Sequence, residues 1–100
     1  MIKHVVMWKL KDEAEGNYKS KNKELAKSSL LGLVPVISQI TSLEVGENFN
    51  PTEAAFDLVL ITIHQDRDAL LEYINHLAHK EVAGFIGKIV ADRKVVDFEY

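Results

Sequence analysis

Two strand-like segments that are apolar on both faces restrict the fold of this chain more than any other feature. Side chains alternate across a β-strand, so each segment divides into two sets. In Ile2–Leu10, one face carries His4, Val6, Trp8 and Leu10, and the other carries Val5, Met7 and Lys9. In Phe56–His64, Leu58, Leu60 and Thr62 oppose Val59, Ile61 and Ile63.

A sheet built from such strands has to be covered on both sides. An antiparallel sheet with one wet face alternates apolar and polar residues, which these segments do not. Helices from a chain of 100 residues can cover only one face, and a bare apolar face favours association. We therefore predict a homodimer in which two sheets meet face to face about a two-fold axis.

The first of the intervening segments is predicted to be helical. It covers Lys11–Leu33, with Asp12 as a candidate N-cap and with Gly32 and Pro35 marking its end. Its apolar residues recur at roughly helical spacing. They are Ala14, Tyr18, Leu25, Ala26, Leu30 and Leu33.

The rest of the chain completes an alternating order of strands and helices. We predict a strand at Ile40–Phe49, a turn at Asn50 and Pro51, and a helical region that begins at Asp66. That region either continues to Val90 or breaks near residues 78–81, and a last strand covers residues 93–100. The order βαββαβ indicates an α+β, ferredoxin-like fold with a four-stranded antiparallel sheet, in one domain over residues 1–100.

Composition excludes several classes of function. The net charge of -3 provides no basic stripe for nucleic acid. There is no cysteine, so disulfides and thiolate metal sites are impossible and a cytoplasmic location is expected. The apolar runs are far shorter than the roughly 20 residues of a membrane span, and the N-terminus lacks the pattern of a signal peptide.

The segment "YINHLAH" places a phenol and two imidazoles within seven residues, and a further histidine lies in the first strand. Residues of these types can do acid–base chemistry, because an imidazole can remove a proton α to a carbonyl while a phenol stabilises the enolate oxygen. The candidate ligand-binding residues are His4, Val6, Trp8, Leu60 and His76. They predict a mostly apolar pocket between sheet and helices.

Each polar candidate also has a structural interpretation. His4 is equally compatible with a core histidine bonded to a neighbour, and Tyr73 with a core aromatic whose hydroxyl is satisfied. His76 and His79 are compatible with positions at a helix end. His64 ends a strand and is interpreted as a loop residue.

No metal or cofactor is expected. His76 and His79 are three residues apart near Glu72, but there is no HExxH motif and no third converging ligand. Gly84 and Gly87 lie in a helical stretch rather than in the strand–turn–helix setting of a phosphate loop.

Five segments in order resemble one known family. They are "MIKHVVMWKLKDEA", "ITSLEVGEN", "FDLVLITIH", "ALLEYINHLAHKEV" and "DRKVVDFEY", of which the fourth is similar to a Tyr-x-x-His-Pro-x-His signature. On these segments the chain resembles the stress-responsive α/β-barrel domain (Dabb) family. The resemblance implies a ferredoxin-like subunit that dimerises into an α/β barrel.

The resemblance also implies roles for individual residues. In the family's plant polyketide cyclase, which forms olivetolic acid by an intramolecular aldol step without cofactor or metal, the catalytic tyrosine and histidine correspond to Tyr73 and His79. The first-strand histidine corresponds to His4, and pocket residues correspond to Val6 and Trp8. Leu77 replaces the signature proline, so the helix can continue past His76 and turn His79 elsewhere.

Three functions therefore stay open. The first is a homodimeric domain that binds a small apolar carbonyl compound. The second is a cofactor-independent lyase or cyclase that acts on a polyketide-like substrate through Tyr73 and His79. The third is a non-enzymatic stress or assembly module, which predicts no ligand-sized cavity beside His4.

Overall fold

A computed structural model describes residues 1–100, and its main feature is a four-stranded antiparallel sheet. The elements in chain order are β1 Ile2–Leu10, β2 Glu13–Ala14, β3 Asn17–Tyr18, α1 Lys19–Leu31, β4 Ser42–Glu47, β5 Leu58–His64, α2 Arg67–Asn75, α3 Leu77–Ile89 and β6 Val90–Glu99. The main sheet has the order β4-β5-β1-β6, with the three helices on one face. The predicted ferredoxin-like α+β fold is confirmed.

The register of β1 with β5 sorts the strand residues as the alternation predicts. Val6 pairs with Leu60 on the helix side of the sheet, and Val5 pairs with Ile61 on the opposite side. The helix-side core is closed by side chains from the helices and from the segment after α1. It contains Ile2, Val6, Trp8, Leu10, Ala26, Leu30, Leu33, Ile37, Leu58, Leu60, Leu70, Tyr73, Ile86 and Ile89.

No element of the chain covers the opposite side, which we call the outer face. It consists of Val5 and Met7 from β1, Val59, Ile61 and Ile63 from β5, and Val96 and Phe98 from β6. These side chains are half-buried by their neighbours or exposed, and Val96 is 60% exposed. The apolar face that the sequence predicts is therefore present and unpartnered within one chain.

The helix predicted over Lys11–Leu33 is wrong in its first third. Residues 13–18 instead form the β2–β3 hairpin, whose two-residue loop holds Glu15 at φ 53° and Gly16 at φ 78°. Two consecutive positive φ angles are the geometry of a type I′ hairpin turn, which glycine favours. Asp12 does not cap the helix, which begins at Lys19. Tyr18, which was predicted to lie on the apolar side of this helix, is exposed.

The second helical region breaks at His76, slightly before the predicted 78–81. Asp66 caps α2 as predicted, because its carboxylate accepts the Ala69 N–H at 2.8 Å. His76 has extended backbone angles, φ -66° and ψ 138°, and separates α2 from α3. The break occurs although Leu77 stands in place of proline, because the His76 imidazole Nδ1 accepts the Ala78 N–H and caps α3.

Candidate functional site

A cavity of about 100 Å³ lies between the sheet and α3. Eight of its twelve lining residues are hydrophobic. The lining consists of His4, Val6, Trp8, Leu30, Leu60, His79, Val82, Ala83, Ile86, Gly87, Val90 and Arg93. Because Ala83, Gly87 and Arg93 are exposed residues, the cavity opens to solvent between α3 and β6.

His4 is held in this cavity by a cross-strand partner. It points to the helix side of β1, is only 3% exposed, and lies directly opposite Asp97 of β6. Its Nδ1–H donates to the Asp97 carboxylate. A carboxylate only accepts, so this bond fixes which ring nitrogen carries the hydrogen.

His79 is held in a similar way from the other side of the cavity. It is the third residue of α3, and its Nδ1 lies 3.0 Å from the carbonyl oxygen of Ile74. The carbonyl can only accept, so Nδ1–H is the donor. The break at His76 makes this bond possible, since it lets the first turn of α3 fold back on the last turn of α2. Burial lowers the pKa of His79 and favours its neutral form.

Both imidazoles keep their second nitrogen available. Neither Nε2 has a hydrogen-bond partner in the protein. The only fully buried side-chain polar atoms without a partner are Asn22 Oδ1 and the Tyr73 hydroxyl. The Nε2 atoms of His4 and His79 are not among them, so neither is fully buried. Burial lowers the pKa of His79 and favours its neutral ring, in which Nδ1 carries the hydrogen and Nε2 presents a lone pair.

Tyr73 lies behind this pair and does not line the cavity. Its ring centroid is 4.6 Å from that of His79 and 6.0 Å from that of His4. The hydroxyl is buried without a hydrogen-bond partner. Burial raises the pKa of Tyr73 to about 12, so the hydroxyl keeps its proton at neutral pH. It is a hydrogen-bond donor that no protein acceptor satisfies.

His64 is a buried member of the same cluster, and its interpretation as a loop residue is wrong. It is the last residue of β5 and is 0% exposed. Its Nδ1–H donates to the Gln39 carbonyl at 2.9 Å, so its Nε2 accepts from the Thr62 hydroxyl at 2.8 Å. Its ring lies 4.8 Å from that of Tyr73. Burial lowers the pKa of His64.

The other predicted ligand-binding residues divide into two groups. Val6, Trp8 and Leu60 line the cavity. His76 does not, and we correct its expected place, because its imidazole caps α3 through the Ala78 N–H. His76 lies at a helix end, which is its structural interpretation from the sequence.

Two polar residues of β6 belong to the site and were not found from the sequence. Asp97 fixes His4, and Arg93 lines the cavity opening. Their spacing of four residues in a strand places them on one face. Pairing the N-terminal with the C-terminal strand would have located Asp97 opposite His4, but the order of strands does not give that register.

No cluster of three or more His, Cys, Asp or Glu side chains is arranged to hold a metal ion. The helices are too short or too polar for any of them to cross a membrane.

Comparison with known proteins links this fold to one family. A sequence profile described as Stress responsive A/B Barrel Domain (Dabb) matches residues 2–100. No curated protein sequence matches the chain.

Solved structures with the same fold include dimeric proteins. A dimeric protein of unknown function with a ferredoxin-like fold from Bacteroides fragilis is 28% identical with a TM-score of 0.84, over 99% of this chain and 95% of that chain. A dimeric ferredoxin-like protein of unknown function from Jannaschia is 27% identical with a TM-score of 0.75, over 99% and 98%. Hydroxynitrile lyase from Passiflora edulis is 12% identical with a TM-score of 0.79, over 97% and 90%, a likeness that shows the fold alone.

The two imidazoles with lowered pKa values make stability sensitive to acid. Unfolding returns His64 and His79 to the ordinary pKa of 6.5, so below that pH the unfolded chain binds more protons than the folded chain. We expect their contribution to the free energy of unfolding to be complete above pH 6.5 and to decline as the pH falls below that value. Urea unfolding across this pH range measures the decline.

A His79→Gln variant should show a shallower decline than the wild type, because one of the two groups is gone. Glu81→Gln, an exposed change on the same helix, serves as the control and should keep the wild-type slope. Equal slopes for His79→Gln and the wild type would contradict the burial argument for His79.

Proposed function

The chain belongs to the stress responsive A/B barrel domain family, and we propose that it acts as a homodimer whose subunits each bind a small, mostly apolar carbonyl compound. The ligand site is the cavity between the sheet and α3. The observation that carries this proposal is the pairing of two anchored imidazoles, His4 and His79, on an otherwise apolar wall. The Nε2 of each ring has no hydrogen-bond partner in the protein and is not fully buried.

The chemistry of the wall selects the type of ligand. A neutral imidazole with Nδ1–H engaged offers only an acceptor at Nε2. An enolisable carbonyl compound matches it, because its enol form presents an O–H and its keto form presents an α-hydrogen. Val6, Leu60 and Ile86 supply the apolar surroundings that small-molecule sites usually have.

The volume of the cavity limits the ligand's size. Drug-sized ligands occupy pockets of about 300–1,000 Å³, and a cavity of about 150 Å³ holds benzene. The cavity beside His4 measures about 100 Å³. An apolar body smaller than a benzene ring therefore fits it, whereas an extended polyketide chain does not.

The homodimer rests on the outer face. Two relatives more than 25% identical to this chain are described as dimeric. An isologous contact between two copies of the outer face would bury its seven apolar side chains, which nothing in one chain covers. A role confined to this dimer surface is less well supported, because it predicts no cavity beside His4.

The orphaned hydroxyl of Tyr73 favours a second candidate, a cofactor-independent lyase or cyclase. Nε2 of His79 would remove an α-proton, and the C–H electron pair would form an enolate whose oxygen accepts from the Tyr73 hydroxyl. The enolate carbon would then attack a second carbonyl carbon of the same molecule. The new alkoxide would take the proton back from His79, so no co-reactant is consumed. The route requires the His79 ring to shift so that the substrate oxygen reaches Tyr73.

Two glycines of α3 provide a matched test of the binding site. Gly87 lines the cavity and Gly84 does not, and an added Cβ meets nothing within 4 Å at either position. We expect Gly87→Leu to fill the opening and abolish binding of butan-2-one, a small enolisable ketone, while Gly84→Leu binds it like the wild type. Both changes remove a helical glycine, so both should preserve or raise the melting temperature.

Chemical-shift titration of ¹⁵N-labelled protein measures this binding. Saturable shifts in the wild type and in Gly84→Leu, but not in Gly87→Leu, are the expected result. Unsaturable shifts in the wild type, or identical binding by the two leucine variants, would contradict the assignment of the site.

The catalytic candidate is tested by deuterium exchange into the α-carbons of butan-2-one in D₂O. If it is correct, the wild type accelerates exchange above the buffer rate, and His79→Gln loses about 10²-fold or more of that acceleration. Tyr73→Phe should lose activity while its melting temperature stays the same or rises, because its hydroxyl is buried without a partner.

Glu81→Gln is the control in this experiment, since Glu81 is exposed on α3 and does not line the cavity. It should keep the wild-type exchange rate. Exchange at the buffer rate in the wild type would contradict the lyase or cyclase function and would not affect the binding proposal.

A further inference from the structure

The chain has two arginines, and they differ in their partners. Arg67 forms an ion pair with Glu99, with Nη2 and Oε1 2.7 Å apart. The Arg93 guanidinium has no ion-pair or hydrogen-bond partner, although it lines the cavity opening. An unpaired cation at the entrance of an apolar cavity is unexplained by the fold.

The acidic residues nearest to Arg93 along β6 are engaged elsewhere. Asp97 shares its sheet face but accepts from His4. Asp92 points to the other face, as strand alternation requires, and lies 3.8 Å from the Lys94 ammonium. The charge of Arg93 is therefore not neutralised by the protein.

The charge also acts on the groups inside the site. Arg93 lies opposite Trp8 in the register of β1 with β6, on the helix side. Burial lowers the pKa of His79, and the Arg93 charge acts in the same direction. Burial raises the pKa of Tyr73, and the Arg93 charge opposes that rise. A ligand bound next to these two side chains would lie in the same positive field.

Building on the proposed function, we propose that the ligand of this cavity is a short oxo acid whose carboxylate binds the Arg93 guanidinium. The planar guanidinium has donors spaced for the two oxygens of a carboxylate. The apolar carbon chain lies against Val6, Leu60 and Ile86, and the carbon next to the keto group faces the imidazoles. With its carboxylate at the rim, only the chain and keto group of such an acid need fit in about 100 Å³.

Two isosteric probes separate the effect of charge from the effect of shape. They are 2-oxobutanoate and its neutral amide, 2-oxobutanamide, titrated at about pH 8, where the lowered pKa of His79 keeps that ring neutral. We expect the acid to bind the wild type about tenfold or more tightly than the amide. Arg93→Gln should reduce this preference to near one, because the charged guanidinium is lost. The Arg93 side chain is exposed, so the change does not disturb the core.

Arg67→Gln is the matched control, because it removes the same charge away from the cavity and should keep the tenfold preference. If acid and amide bind the wild type equally and Gly87→Leu blocks both, the carboxylate inference is overturned and the binding proposal survives. A preference for the acid that persists in Arg93→Gln also overturns the role of Arg93. If neither probe binds the wild type, both proposals are contradicted for oxo compounds of this size.

Discussion

Covering both faces of β1 and β5 is the requirement on which the rest of the structure depends. These central strands carry large apolar side chains on each side, so the sheet is stable only between two layers. The chain supplies one layer with its three helices and with Leu33 and Ile37 from the segment after α1. The other layer has to come from outside one chain. The fold, the proposed dimer and the place of the cavity all follow from this division.

The aromatic and imidazole rings of the candidate site also lie on the helix side of the sheet. His4, His64, Tyr73 and His79 form a group of contacting rings in a region that is otherwise aliphatic. Each imidazole is kept there by a hydrogen bond from Nδ1. Desolvation works against the charged forms of His64 and His79, and the Tyr73 hydroxyl has no acceptor at all. Unsatisfied and desolvated groups of this kind reduce stability and are typical of sites that act on ligands.

Alternation and capping made much of this fold predictable. The bounds of β1, the two faces of β1 and β5, and the N-cap Asp66 agree with the structure because each depends on residues close in sequence. The hairpin at Glu15–Gly16 was missed because a two-residue turn interrupts an apolar pattern that also suits a helix. The contacts of Asp97 and Arg93 depend on pairing between the two ends of the chain, which local patterns do not determine. His64 was misplaced for a related reason, since its partner Gln39 is 25 residues away.

The most direct test of the central claim is the mass of the particle in solution, measured by sedimentation equilibrium. We predict that the wild type has twice the mass of one chain. Ile61→Glu, in the middle of the outer face, should be a folded monomer, because a carboxylate there is desolvated in the dimer. Leu77→Glu, a similar change at a site 76% exposed on the helix side, should stay dimeric. A monomeric wild type, or an Ile61→Glu variant that remains a dimer, would contradict the claim that a second copy covers the outer face.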